Sequence, residues 1–207
     1  MKKFLFLLSV VCLSCKISKS ENLPKSYLDA KCDKIIIMDS TDYNTIVFVV
    51  SFTNNSNDDI VLFANSAYKK TLADTYKNAG LILKTSDFVS PIGTYISQLI
   101  HIEPNSYKKY AFIFSNNYPN GWIDVPNAKS TRDELTSIAK SVSLSYKYDA
   151  NEMQKVLNEV DVKNLKAKTI NEDFEVTMNN PSIEYNNKLS IEEVIGISSG
   201  KVRTVRN

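Results

Sequence analysis

The sequence predicts a mainly-β fold, an antiparallel β-sandwich with one or two inserted helices. Short runs of β-branched and aromatic residues recur along the chain, and clusters of Asn, Asp, Ser and Pro separate them. Strong helical periodicity is confined to the region around residues 131–142. With 207 residues, 43% of them hydrophobic, the chain suits one domain that buries its own core.

The N-terminus has the pattern of an export signal. Lys2 and Lys3 precede an apolar run, Phe4–Leu13, which is too short to span a bilayer because a transmembrane helix needs ~20 apolar residues. A basic start followed by a short apolar run and small residues is typical of a signal peptide that is removed from the mature protein. A buried N-terminal helix or strand is the alternative interpretation.

The residues that end this run, Leu13, Ser14 and Cys15, resemble the lipobox of bacterial lipoproteins. The resemblance implies that residues 1–14 are the signal peptide and that Cys15 carries a diacylglyceryl group. It also implies that residues 15–29 form a lipidated tether. The protein would then be held at a membrane of the bacterial cell envelope, in the periplasm or at the cell surface, because two or three acyl chains anchor a protein firmly.

Ordinary secretion is the alternative to this anchor. Cys12 departs from the lipobox pattern, which usually has an aliphatic residue at that position. Ser18-Lys19-Ser20 is a small-x-small site at which cleavage would release a soluble secreted protein.

The composition excludes nucleic acid and nucleotide as partners. Loss of Lys2 and Lys3 with the signal leaves 23 basic residues, two fewer than 25, against 23 acidic residues. A balanced surface has no excess of cations to neutralise phosphates. The sequence contains no glycine-rich phosphate loop, so we predict no nucleotide and no cofactor.

The strand pattern is strongest early in the mature chain. Lys34–Met38 is a short β-branched run. Thr45–Thr53 is apolar on both faces, which predicts a central strand that is covered on two sides. The polar residues 54–59 separate this strand from Ile60–Ala64, and the two runs together predict a β-hairpin.

A second hairpin is predicted after a short strand at Leu81–Leu83, where Tyr95–Ile102 and Tyr107–Ser115 flank a turn at Glu103–Ser106. The two segments, VVSFTNNSNDDIVLF and IHIEPNSYKKYAFIF, resemble bacterial immunoglobulin-like sandwich modules in their Thr-Asn-Asn turn and I-x-P-x-S corner. The resemblance covers about half of the chain and implies an immunoglobulin-like antiparallel β-sandwich. The Cys…Trp…Cys framework of antibody domains is absent.

Helical signals follow the second hairpin. Thr131–Glu134 fits a capping box that would begin a helix. The apolar stripe of this helix consists of Leu135, Ile138, Ala139 and Val142. Ser141–Tyr148 alternates as a half-exposed strand, and Asn151–Val160 has the pattern of a second helix.

The pattern weakens toward the C-terminus. Leu165–Ile170 and Phe174–Met178 predict a final hairpin. Beyond Pro181 no element is predicted. We expect a single domain over residues 30–195 and a loose tail over residues 196–207.

One His and three Cys leave few residues for nucleophilic or metal chemistry. His101 lies on the strand face opposite its two isoleucine neighbours, and neither a nucleophile nor an orienting acid can be located beside it. No metal site is predicted, because zinc needs three or four ligands. If Cys12 leaves with the signal and Cys15 is acylated, Cys32 is expected to be a small buried residue, with an intermolecular disulfide as the alternative.

Three adjacent acid pairs are candidates for glycan hydrolysis, which needs two carboxyl groups ~5–9.5 Å apart across a cleft. The pairs are Asp58/Asp59, Glu172/Asp173 and Glu192/Glu193. Each pair lies in a predicted turn or on a polar helical face, where acids are usually solvated. Asn55, Asn57 and Asp59 have the alternate spacing of a calcium loop, but the Gly and Glu that complete such a loop are missing, so a turn is the better interpretation.

The segment Tyr118-Pro119-Asn120-Gly121-Trp122 is the candidate binding loop. Exposed rings of Tyr118 and Trp122 would form a stacking platform for a sugar or a protein. A buried Trp122 that closes one end of the sandwich is the interpretation that we favour, because a lone large aromatic residue usually packs.

Because no constellation supports catalysis, the sequence predicts a membrane-anchored envelope lipoprotein that acts as a non-catalytic binding or interaction module with a protein or glycan partner. A carboxylate-based glycan hydrolase and an inhibitor or immunity lipoprotein are the alternatives.

Overall fold

The computed structural model describes residues 27–39, 44–66, 79–95, 99–115, 132–159 and 167–198. Strands dominate these residues, which confirms the predicted mainly-β class. The strands are β1 (Leu28–Asp39), β2 (Asn44–Asn54), β3 (Ile60–Phe63), β4 (Asn65–Ser66), β5 (Gly80–Lys84), β6 (Val89–Pro91), β7 (Gly93–Thr94), β8 (Leu99–Ile102), β9 (Ser106–Ser115), β10 (Ser143–Lys147), β11 (Lys168–Thr169), β12 (Phe174–Val176) and β13 (Ser182–Tyr185). The helices are α1 (Arg132–Ser141), α2 (Ala150–Glu159) and α3 (Ile191–Ser198).

A six-stranded sheet in the order β13-β1-β2-β9-β7-β4 forms the larger layer of the described fold. β2 is the central strand that the sequence predicted, and it pairs antiparallel with both β1 and β9 along nearly its whole length. Alternate side chains of β2 enter two different apolar clusters, so both faces of the strand are buried. We call the face toward the main core the inner face and the opposite one the outer face.

A β-bulge interrupts β1 near its middle. Cys32 pairs with Val50 and Lys34 pairs with Val49, so Asp33 is an extra residue that has no counterpart in β2. The core-facing residues of β1 are Leu28, Ala30 and Cys32 before the bulge and Ile35 and Ile37 after it. Because the bulge shifts the alternation by one residue, the sequence pattern predicted only the second half of this strand.

Two smaller sheets pack against the inner face. Their strand orders are β12-β10-β5-β6 and β11-β3-β8. Buried side chains from all three sheets form one cluster, in which Phe48, Phe112, Leu62, Leu83 and Tyr146 are almost fully buried. The Tyr146 hydroxyl accepts a hydrogen bond from the Phe63 backbone N–H at 3.1 Å, which ties the two smaller sheets together.

The two predicted hairpins are wrong in their pairing. β2 and β9 pair with each other in the six-stranded sheet, whereas β3 and β8 pair with each other in the three-stranded sheet. Each predicted hairpin turn therefore carries the chain from one sheet to the other. Apolar runs on both sides of a polar turn do not specify which strand is the partner. In the first of the two segments, β2 and β3 are each buried on both faces, so the pattern of burial does not separate them.

Side chains satisfy the backbone where the chain crosses between the sheets. The buried Asn54 amide donates to the carbonyl oxygens of Asp58 at 2.7 Å, Ile102 at 3.2 Å and Glu103 at 3.0 Å. It thereby joins the two crossing turns to each other. The His101 carbonyl accepts from Lys108 Nζ at 3.2 Å and from the Tyr110 hydroxyl at 3.3 Å.

The helices cover three parts of the sheets. The predicted stripe of α1 is confirmed, since Leu135, Ala139 and Val142 are buried in the main core and Ile138 packs against it. α2 buries Met153 and Val156 in a smaller cluster with Phe63 of β3. None of the described helices is long and apolar enough to cross a membrane.

The C-terminal region departs most from the sequence pattern. The predicted final hairpin is wrong, because β11 pairs parallel with β3 while β12 pairs antiparallel with β10. Beyond Pro181, where no element was predicted, β13 pairs parallel with β1 and α3 packs on the outer face of the six-stranded sheet. Both elements are short, and tertiary contacts rather than local propensity stabilise them.

Candidate functional site

The lipidation residue and the candidate binding loop lie outside the described residues. Cys15, Tyr118 and Trp122 therefore remain predictions from the sequence. The described residues closest to them in sequence are Tyr27, Ser115 at the end of β9 and Arg132 at the start of α1.

His101 lies on β8 of the three-stranded sheet, and the acid beside it is Asp59, which the sequence did not indicate. Its ring lies on the face opposite the buried Ile100 and Ile102, as the sequence predicted. Nε2 is 2.7 Å from Asp59 Oδ1, and both side chains are partly exposed. The pair joins β8 to Asp59, the residue just before β3. Asp59 is the last residue of the turn that carries the chain from β2 in one sheet to β3 in the other.

The candidate acids are mostly engaged by neighbouring groups. Asp58 forms an ion pair with Lys168 at 2.8 Å, and Asp173 forms one with Lys147 at 2.7 Å. Glu193 accepts from the Ser190 backbone N–H at 2.7 Å, which is a capping contact at the start of α3. Among the described residues no three potential ligands are grouped as a metal site.

The residues spaced like a calcium loop bond to other protein groups instead. Asn55 Nδ2 donates to Asp29 at 2.9 Å, and Asn57 Oδ1 accepts from Asn105 at 3.1 Å. Asp59 is occupied by His101. The interpretation as a turn is therefore the one that the contacts support.

Cys32 is fully buried in the main core, as predicted for a small apolar residue. Burial raises the pKa of its thiol to about 12. The thiol is therefore protonated at neutral pH and is a poor nucleophile.

The outer face of the six-stranded sheet has two halves with different chemistry. The covered half lies beneath α3, and its buried residues are Ile36, Met38, Val47, Val49, Ala111 and Ile113. The polar half continues the same three strands toward the start of β1. By strand register its residues are Asp29, Lys31, Asp33, Ser51, Thr53, Tyr107 and Lys109.

Asp33 is the centre of the polar half. Its Oδ2 accepts from Lys109 Nζ at 2.8 Å and from the Tyr107 hydroxyl at 3.2 Å. Lys31 Nζ approaches the other carboxylate oxygen at 4.0 Å. The carboxylate of the bulge residue therefore reaches across β2 and orders two side chains of β9.

The pKa of Asp33 is shifted by two opposing effects. Partial burial raises the pKa, but the hydrogen bond and charge of Lys109 and the hydrogen bond of Tyr107 outweigh it and hold the pKa below its ordinary value. The same contact with Asp33 raises the pKa of Lys109. Both groups are therefore charged at neutral pH.

Tyr107 is the most exposed aromatic side chain of this surface, with 53% of its area accessible. The Lys109 ammonium lies 5.5 Å from the centre of its ring. The ring is thus fixed by its hydroxyl and by the neighbouring ammonium while much of it faces solvent.

This cluster is not evident from the sequence. Its residues are separated by up to 80 positions, and the strand pattern begins only at Lys34. Asp29 falls in the predicted tether, residues 15–29, and no strand is predicted at Lys31 and Asp33. The available signal was the out-of-phase step between Cys32 and Ile35, which a one-residue bulge explains.

Comparisons of the chain with protein-family models, with curated proteins and with solved structures found no match.

Proposed function

We propose that the protein is a lipid-anchored lipoprotein of the bacterial cell envelope and acts as a non-catalytic binding module through the polar half of its outer face. The observation that carries the binding role is the bulge at Asp33. The ladder with β2 does not need this residue, since Cys32 and Lys34 already pair with consecutive residues. Its carboxylate is what organises Tyr107 and Lys109. Bulges are frequent where a side chain must be re-aimed at a functional surface.

A second consequence of the bulge is structural. On its other edge β1 changes neighbour at the same place: the Cys32 N–H donates to Thr177, whereas β13 starts opposite Lys34. This change of neighbour is the alternative explanation of the bulge. Deletion of Asp33 tests whether the fold or the polar half requires it.

The position of Tyr27, the first described residue, supports an anchor on the side of the polar half. Tyr27 is bonded to Asn55 at the end of β2, next to the first residues of the polar half. Twelve residue steps separate Tyr27 from Cys15, and fully extended they would span at most ~40 Å. The predicted loop with Tyr118 and Trp122 is bounded by Ser115 and Arg132, and Ser115 pairs at the opposite end of β2. We propose this loop as a second contact region.

The proposed scaffold is an immunoglobulin-like sandwich. The crossing of both predicted hairpin turns between sheets and the pairing of β2 with β9 and of β3 with β8 support two facing layers. The parallel strands β4, β11 and β13 are additions to such a layout.

The anchor is tested by the intact mass of protein extracted from membranes. We expect a chain that starts at Cys15 and carries acyl groups, and Cys15→Ala is the matched variant that should stay unprocessed or soluble. An unlipidated, water-soluble wild-type product would contradict the anchor.

The binding surface is tested by photo-cross-linking in cells. A diazirine amino acid in place of Thr53, in the polar half, should form a covalent adduct with the binding partner. The same amino acid in place of Ser137 of α1 or Glu192 of α3 should not form this adduct. All three positions are on the described surface, and Ser137 and Glu192 are exposed. Equal adducts at the three positions, or none at Thr53, would contradict the proposed surface.

A further inference from the structure

We infer that the polar half binds an uncharged polysaccharide chain, with Tyr107 as the stacking residue. This inference rests on the binding role proposed above and specifies the class of ligand. The charges, the aromatic ring and the hydrogen-bonding groups of the surface each favour this ligand.

The charges of the polar half and its border compensate one another. Lys109 and Lys31 face Asp33, and Lys34 forms an ion pair with Glu184 at 2.8 Å. With Asp29 included, three cations stand against three anions. An anionic polymer or an anionic membrane surface would need unpaired cations. A neutral ligand can bind without separating these pairs.

The Tyr107 ring is held ready for stacking. Its hydroxyl donates to Asp33, and the Lys109 ammonium lies over one face of the ring, 5.5 Å from its centre. A ring that is ordered before binding loses little conformational entropy when a ligand covers it. The apolar C–H face of a pyranose has the size and chemistry to cover such a ring, while its hydroxyl groups remain at the rim.

The surroundings of the ring offer both donors and acceptors on three adjacent strands. Carboxylate oxygens come from Asp29 and Asp33, ammonium donors from Lys31 and Lys109, and a hydroxyl from Thr53. Neighbouring strands are ~4.8 Å apart, so the three strands present a surface ~10 Å wide. Vicinal sugar hydroxyls both donate and accept, and they match this mixture better than a purely cationic or purely acidic ligand does.

The test is calorimetric titration of the membrane-extracted protein with neutral hexasaccharides: cellohexaose, mannohexaose, xylohexaose and chitohexaose. We expect at least one to bind, with an affinity that changes less than about twofold between 50 and 500 mM NaCl, since no phosphate or carboxylate is neutralised. Tyr107→Ala should weaken binding at least about tenfold because the stacking surface is lost. Tyr107→Phe keeps the ring and should stay within about threefold.

The matched control is Tyr185→Ala. Tyr185 is 44% exposed on β13 of the same sheet, but it shares the inner side with Ile183, and its ring is covered by Arg132 at 3.7 Å. This variant should bind as the wild type does. Thermal unfolding of each variant shows whether a loss of binding reflects a loss of fold.

Three outcomes would overturn the inference: no binding of any hexasaccharide at millimolar concentration, equal binding by Tyr107→Ala and wild type, or binding of heparin and polygalacturonate in place of the neutral chains. If no hexasaccharide binds but the cross-linker at Thr53 captures a protein, the proposed binding role is supported and the glycan inference is rejected. If a hexasaccharide binds and the protein proves unlipidated, the proposed anchor is rejected and the glycan inference is supported.

Discussion

The two halves of the outer face are built on the same three strands, yet one is apolar and covered by α3, whereas the other is polar and is not covered by any described helix. In the covered half Val47 is fully buried and Ile113 is 8% exposed beneath α3. In the polar half the side chain of Lys31 is 55% exposed, and Tyr107 is 53% exposed. The bulge at Asp33 lies at the boundary between the halves.

This difference separates a half that stabilises the sheet from a half for which we propose a binding role. The covered half contributes apolar burial, at roughly 1.5–3 kcal/mol for each large aliphatic side chain. The polar half contributes little, because ion pairs between exposed groups are typically worth 0–1 kcal/mol. The ion pairs of the polar half are therefore a minor contribution to the stability of the fold.

The largest effect is expected from a charge in the covered half. Val47→Asp would bury a carboxylate between α3 and the sheet, so the free energy of unfolding should fall by about 3–5 kcal/mol, or the protein should fail to fold. Thr53→Asp places the same group on the same strand in the polar half and should cost less than about 1 kcal/mol. Urea unfolding compares the two, and similar losses would mean that the halves do not differ in burial.

Single-residue deletions in β1 test the boundary between the halves. Deletion of Asp33 leaves Cys32 and Lys34 on their present faces, so it should cost less than about 1 kcal/mol. Deletion of Lys31 turns Leu28 and Ala30 away from the core and should cost at least about 2 kcal/mol. Thermal and urea unfolding measure both. A larger loss on deleting Asp33 would show that the bulge is required by the fold rather than by the polar half.

Truncation in α3 measures how much the cover contributes. Val194 is buried against the covered half, and Val194→Ala should lower the free energy of unfolding by about 1–2 kcal/mol. Glu192→Ala, at an exposed position of the same helix, should change it by no more than about 0.5 kcal/mol. Equal effects would contradict the packing of α3 on the sheet.

The smallest effect is a pH dependence of the polar half. Because the folded pKa of Asp33 is lowered, its ionised form stabilises the fold above the unfolded pKa of ~3.9, and this contribution is lost as the pH falls through the folded pKa. Asp33→Asn should therefore reduce the free energy of unfolding at pH 7 by less than about 1 kcal/mol, since Lys109 is 40% exposed and water screens the pair. The difference from wild type should vanish near pH 2. A difference that persists there would assign the loss to packing.

The sequence was informative where burial follows a simple period. The two-sided apolar pattern of β2 and the stripe of α1 were predicted correctly because each depends on local alternation. The burial of Cys32 was predicted correctly from the cysteine count. Strand partners were not, because the turns at residues 54–59 and 103–106 can join strands of one sheet or of two. The two turns are joined by the Asn54 amide, which donates to carbonyl groups nearly fifty residues away, and local alternation does not predict such contacts.

The polar half could not be assembled from the sequence for a similar reason. Asp33 and Lys109 become neighbours only when β1 and β9 lie on either side of β2, and the bulge must first bring Asp33 to the outer face. α3 was missed because the helix has only eight residues, and its packing against the sheet rather than its local sequence stabilises it.

The long register between β1 and β2 determines how the domain would respond to mechanical load. A pull on the chain at Tyr27 acts along β1, whose hydrogen bonds to β2 run from Leu28 to Asp39 at right angles to that direction. Such bonds are loaded together in shear, so they must break nearly at once rather than one after another. A domain that is pulled at its N-terminus would therefore resist unfolding at β1, the strand that carries the force.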